Sequence, residues 1–188
     1  MTGSFTVDED VRATAEPGES IIWSGKPKQG LLLRRSDLFM IPFSLLWGGF
    51  AIFWEMSVLQ TDAPGFFALW GIPFVLVGLY MIVGRFFIEA RQRARTVYGL
   101  TNRRVIIISG LLSKTTISIP LATLSEITMS EHKDNRGSIT FGRPNPFAAF
   151  SSGMNWPGMG NNASPVFELI EDAKSVHAKL LHAQRAAA

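Results

Sequence analysis

Residues 98–110 read YGLTNRRVIIISG, two adjacent arginines running into an unbroken aliphatic stretch. Val105 to Ile108, closed off by Gly110, have the length and β-branched composition of a buried strand. Successive side chains of a strand point to opposite faces, so Arg103 and Arg104 cannot share one environment. At most one is free at the surface, and the other is paired or snorkels outward. The pair either opens a strand or offers cationic contacts to an anion, and the surroundings must decide.

Downstream, KTTISIPL (114–121), TLSEITMS (123–130) and GSITFG (137–142) are short runs closed by turn residues. Thr115, Ile117, Ile119 and Leu121 alternate with Thr116, Ser118 and Pro120, the period-2 pattern of a half-buried strand. Leu124, Ile127 and Met129, then Ile139 and Phe141, supply the next apolar positions. The turn Gly110–Ser113 and the loop Asp134–Gly137 join neighbouring runs, so the spacing predicts an antiparallel meander. Ala173, Val176, His177, Leu180 and Leu181 then recur at helical spacing and predict an amphipathic helix from Glu171 to about Gln184. PVFEL (165–169) before it reads as a last strand or as the first helical turn, with the strand favoured. The helix would cap the open end of a small curved sheet.

Upstream lie two uncharged runs, Leu38–Trp54 and Ala63–Gly84. A bilayer-spanning helix needs roughly 20 apolar residues. The second run meets this, and the first does when extended by Ser36 and Asp37. So short a polar remainder could not cover two such helices, so a membrane hairpin is expected, and its late start speaks against a cleaved signal. Lys26, Lys28, Arg34 and Arg35 precede it, Arg85, Arg91, Arg93 and Arg95 follow it, and the linker EMSVLQTD (55–62) carries acids only. The positive-inside bias therefore places both termini in the cytoplasm. Asp62 is positioned to cap the second helix. Ser44 with Gly48, and Gly71 with Gly78, give each helix a small-residue face for close packing, while Pro42 and Pro73 are expected to bend or unwind it.

The acidic stretch Met1–Pro17 has few large apolar groups and is expected to carry no fold. GESIIWSGKP (18–27) reads as a short strand or interfacial contact. The net charge of +3 is grouped beside the apolar runs, which does not fit a nucleic-acid face. With no cysteine, thiol chemistry and zinc knuckles are excluded, and His132, His177 and His182 have no partners at metal-ligand spacing. Gly158–Gly160 lacks the strand and helix that a phosphate loop needs. No charged residue lies within either run to serve transport. The Gly- and Pro-rich stretch Arg143–Pro165 nevertheless carries Phe147, Phe150 and Trp156, which either fold back over the barrel or touch the bilayer or a partner.

In order along the chain, GESIIWSGKP, the apolar hairpin, YGLTNRRVIIISG, IPL, GSITFG and FELIEDAKSVH resemble the bacterial pleckstrin-homology-like (PH-like) membrane proteins. The resemblance covers nearly everything after Glu16. It implies an α+β fold, a transmembrane helical hairpin plus a small antiparallel β-barrel capped by a C-terminal helix, with no enzymatic chemistry and no cofactor. The expected division is a disordered arm (1–17), a strand or interfacial segment (18–35), the hairpin (36–84), a basic linker (85–96) and a cytoplasmic PH-like domain (97–188). Two functions follow as expectations. One is a non-catalytic adaptor or accessory subunit at the cytoplasmic face of the bacterial inner membrane, with a protein partner or a second copy. The other is an anionic lipid head-group sensor using Arg91, Arg93, Arg95, Arg103, Arg104 and Lys114. Trp23, Phe147, Phe150 and Trp156 are candidate interfacial aromatics in either case.

Overall fold

A computed structural model describes residues 7–33, 37–61, 64–111, 113–132, 134–143 and 164–187. The described parts of Met1–Gly30, Ala90–Ala148 and Asn162–Ala188 form one compact unit, and those of Leu31–Glu89 form another.

The first unit contains α1 (Val7–Thr14), β1 (Ile21–Gly25), β2 (Val97–Thr101), β3 (Arg104–Ser109) and β4 (Thr115–Pro120), then β5 (Ile127–Glu131), β6 (Arg136–Phe141) and β7 (Val166–Glu171). Antiparallel pairing in the order β1-β2-β3-β4 makes one sheet, and β5-β6-β7 makes a second. The meander is present, but the described strands do not close into a single hydrogen-bonded barrel. Pro120 ends the β4 ladder, a 3-10 turn at Leu121–Thr123 redirects the chain, and β5 starts the other sheet. PVFEL forms the strand β7, and the helix that follows it runs Ala173–Ala187, with Val176 and Leu180 turned inward.

Phe167 on β7 is the hub of the core. Its ring lies 4.7 Å from Tyr98 of β2, 4.9 Å edge-on from Phe141 of β6 and 5.4 Å from Trp23 of β1, so one side chain bridges both sheets. Leu100, Val105, Ile107, Leu121, Ile139, Ile170 and the inner stripe of the C-terminal helix complete the cluster. Opposite Ser138, β7 carries two residues, and the bulge holds Leu169 at φ 47° with its N–H donating to Ser138 Oγ at 3.1 Å.

Two expectations change here. β2 was not anticipated as a strand, because Val97–Thr101 is buried throughout and so lacks an alternating pattern. The arm was expected to have no fold, yet residues 7–14 are helical. Asp8, Glu9 and Asp10 in the first turn and Arg12 in the last complement the helix dipole. Val11 is fully buried with Val97, Ile106 and Ile108, on the sheet face away from Phe167. This second layer explains why the run in β3 is aliphatic without interruption: both of its faces are covered.

In the second unit, α2 (Asp37–Gln60) and α3 (Gly65–Leu79) pair antiparallel, since Asp37 meets Arg85, Gly48 meets Gly78, and Glu55 meets Gly71. The small-residue faces are the contact: a Cβ on Gly78 would lie 2.8 Å from the Gly48 Cα. The helix continues through both prolines, and the widened turn falls instead at Tyr80–Gly84, leading into α4 (Arg85–Ala94). Helix thus occupies most of the stretch expected to be a basic linker. At the other end α2 absorbs Glu55–Gln60, read from the sequence as an external turn, because Met56, Val58 and Leu59 continue the helix with no breaker before Pro64. Asp62 lies outside the described residues. α2 and the continuous helix Gly65–Ala94, which runs from α3 through the widened turn into α4, are each long and apolar enough to cross a membrane, and only 28% and 11% of their apolar windows are buried. A soluble core helix would hide most of that surface. Instead Phe39, Phe43 and Trp47 stack along the outside of α2, and Phe66, Trp70 and Phe74 follow one another along α3.

Candidate functional site

The site is built where the loop between β2 and β3 meets the segment between α1 and β1. Thr101 is fully buried at the end of β2, and its hydroxyl donates to Glu19 Oε1 at 2.6 Å while accepting the Arg104 N–H at 3.0 Å. One residue on, Asn102 N–H donates to the Ser20 carbonyl and Asn102 Oδ1 accepts the Ser20 N–H, both at 3.0 Å. Two short motifs some eighty residues apart, G-E-S and T-N-x-R, are therefore two halves of one polar latch.

Arg104 closes it. Its Nε lies 3.0 Å from Glu19 Oε1 and its Nη2 2.9 Å from Oε2, the bidentate fork that suits guanidinium and carboxylate. The same side chain reaches Glu16 at 3.2 Å, the Ser118 hydroxyl at 3.1 Å and the Thr14 carbonyl at 3.2 Å. The Glu19 side chain is wholly buried. Burial opposes its ionisation, but hydrogen bonds from Arg104, Thr101 and the Glu16 N–H, with the Arg104 charge, outweigh this and hold the carboxyl at about 2. The hydrogen bond to Glu19 in turn pushes the Arg104 guanidinium up. Arg103, by contrast, lies exposed in the turn. Of the two arginines, Arg104 is a clamp on the chain's own acids and Arg103 faces solvent.

The other basic candidates do not converge. Lys114 pairs with Asp10 of α1 at 3.1 Å, Arg95 donates to the Leu111 carbonyl, and Arg93 is buried, donating to the Gly30 carbonyl at 2.9 Å. Arg91 is exposed. Arg95 and Lys114 do line one cleft of about 320 Å³ beside the β3–β4 turn, together with Lys26 and Asp10. Trp23 differs from its expected interfacial role: its ring turns inward onto Phe167 because β1 pairs with β2 and carries it into the core. Phe147, Phe150 and Trp156 lie outside the described residues. Among the described residues no group of three or more His, Asp or Glu side chains could hold a metal ion.

Reasoning from the sequence missed Glu16, Glu19 and Asp10 as partners of the basic residues. The available signal was Glu19 itself, an acid just ahead of β1, whose partner strand β2 leads directly into Arg103 and Arg104.

A family profile described as Bacterial PH domain matches residues 42–182, well over half of the chain. Among solved structures, a DUF1696 family protein with a pleckstrin-homology domain from Shewanella loihica PV-4 is similar at 14% identity and a TM-score of 0.34, over 50% of this chain and 74% of that one. No curated protein matches.

Proposed function

The chain belongs to the bacterial PH domain family, and from that premise we propose that it is a membrane-anchored, non-catalytic adaptor or accessory subunit. It binds a protein partner at the cytoplasmic face of the bacterial inner membrane. The observation that carries this reading is how the cations are engaged. Arg104 holds Glu19 and Glu16, Lys114 holds Asp10, and Arg93 and Arg95 hold backbone carbonyls. A head-group site needs several converging cations with open donors, and four of the six candidates already have partners within the chain.

The anchor is the hairpin α2–α3. The ion pair between Asp37 and Arg85, 2.8 Å long with both side chains under a tenth exposed, ties its two open ends together. Glu55 lies 18 residues further along α2, about 27 Å at helical rise, which places it near the opposite boundary of a hydrocarbon core about 30 Å thick. The basic residues on both flanks, with none between the two helices, orient the termini inward.

A head-group sensor is the second reading, favoured by the cleft that gathers Lys26, Arg95 and Lys114. Flotation of the full chain in vesicles tests nothing here, because the hairpin alone would insert. Crosslinking in native membranes followed by detergent purification is the direct test: a protein recovered in near-stoichiometric amount supports the adaptor. Recovery of the chain with lipid alone rejects it.

A further inference from the structure

We infer that α1 is a displaceable occupant of a helix-docking groove on the outer face of β2–β3, and that the groove's partner in trans is an acidic amphipathic helix of another protein. The inference rests on the adaptor reading and gives it a site.

The groove has a floor of Val97, Ile106 and Ile108 and a hole at Gly99, where the absent side chain leaves room for Val11. A Cβ on Gly99 would lie 2.6 Å from Val11 Cγ1. Its rim is polar and partly basic: Lys114 meets Asp10 at 3.1 Å, and Ser24 donates to Asp8. The occupant is thus a short helix with one fully buried small aliphatic anchor, Val11, a second, Val7, packed beside it, and acids on its flanks. The cis helix fills this description only minimally. It has eight residues, far below the length at which a helix holds itself together in water, and Val11 is its one fully buried side chain. The Asp10–Lys114 contact is partly exposed, and so is screened by salt. Arg104 touches α1 only at its last residue, through the Thr14 carbonyl, and beyond it the chain is held by Glu16 and Glu19 on Arg104 and by the Ser20–Asn102 pair. α1 can therefore leave without releasing β1. A longer helix of the same character would gain contacts that α1 does not make, and α1 in place would lower its apparent affinity by the fraction of time the groove is open.

The probe is a fluorescent peptide of this chain's own residues 1–15, added to the full chain in lipid nanodiscs and to a chain lacking those residues. Binding is expected to be at least about tenfold tighter without the arm. It should be lost when Gly99→Leu fills the hole, and weakened at least about tenfold when the peptide's Asp8, Glu9 and Asp10 are changed to Lys. Equal binding to both chains, or none to a shortened chain whose circular dichroism is unchanged, overturns the inference. Should the shortened chain aggregate, the full-length chain, which has no native cysteine, still decides. Val11→Cys is expected to be alkylated at least about tenfold faster than Ile139→Cys, and equal rates would show that α1 opens only with global unfolding. Failure here with a protein still recovered from membranes would move the adaptor's site elsewhere; failure of both would end the adaptor reading.

Discussion

Arg104 grips Glu19 through two nitrogens, 3.0 Å from one carboxylate oxygen and 2.9 Å from the other, across 85 residues of sequence that include the whole apolar hairpin. The stretch before the hairpin and the domain after it are one folding unit because of contacts of this kind, and β1 supplies the edge strand that the downstream chain lacks.

Glu19→Gln should therefore destabilise the domain by about 2–3 kcal/mol, since it removes a charge-assisted fork and leaves Arg104 with only Glu16 as an acidic partner. Denaturant unfolding of the hairpin-less domain measures it. Arg103→Gln, at the neighbouring exposed position, should change stability by less than about 0.5 kcal/mol.

The same pair sets an acid dependence. The folded-state carboxyl of Glu19 titrates at about 2 against an ordinary 4.5, so its contribution is complete above the ordinary value and is lost as pH falls from there through the folded one. That contribution is on the order of 3 kcal/mol at neutral pH. Wild-type stability should fall between roughly pH 5 and pH 2 more steeply than that of Glu19→Gln. Parallel curves would show that the latch does not carry the charge.

Much of the fold was legible because its signals are local. The aliphatic run of β3, the turn residues between strands and the helical spacing from Ala173 onward each depend on a few neighbouring residues. β2 and α1 were not legible, for one shared reason: Val11 and the Val97–Thr101 strand are buried against each other from distant parts of the chain, which erases the amphipathic pattern of a strand and rescues a helix too short to stand alone. The candidate site was half legible. Alternation required that Arg103 and Arg104 part company, but only the register of β1 on β2 brings Glu19 to Arg104.

Phe167→Ala should be among the most damaging core changes. It removes the ring that touches Tyr98, Phe141 and Trp23 together, and the loss should be about 3–5 kcal/mol, read by the same unfolding experiment.

In the hairpin, Gly78→Val should force α2 and α3 apart, since the added Cβ meets the Gly48 backbone and not a flexible side-chain tip. Overpacking of this kind costs about 1–3 kcal/mol. A drop in thermal stability in detergent, absent in the exposed control Leu69→Val, checks it.

Topology has its own test. Ser57→Cys should be modified from outside intact cells by an impermeant thiol reagent, and Ser130→Cys should not. The reverse pattern would place the sheets outside the cell.

The adaptor reading turns most directly on whether the domain itself recognises a lipid. Basic residues beside an anionic leaflet gain about 1 kcal/mol each whatever the domain does, but only within a Debye length of the surface. The measurement is cosedimentation of a hairpin-less chain, residues 1–30 joined to 95–188, with vesicles of differing anionic head groups at physiological salt. The expected result is weak binding that salt abolishes and that does not distinguish head groups. Strong, selective binding that is lost when Arg95, Arg103 and Lys114 are changed to Ala would contradict the adaptor and establish the sensor in its place.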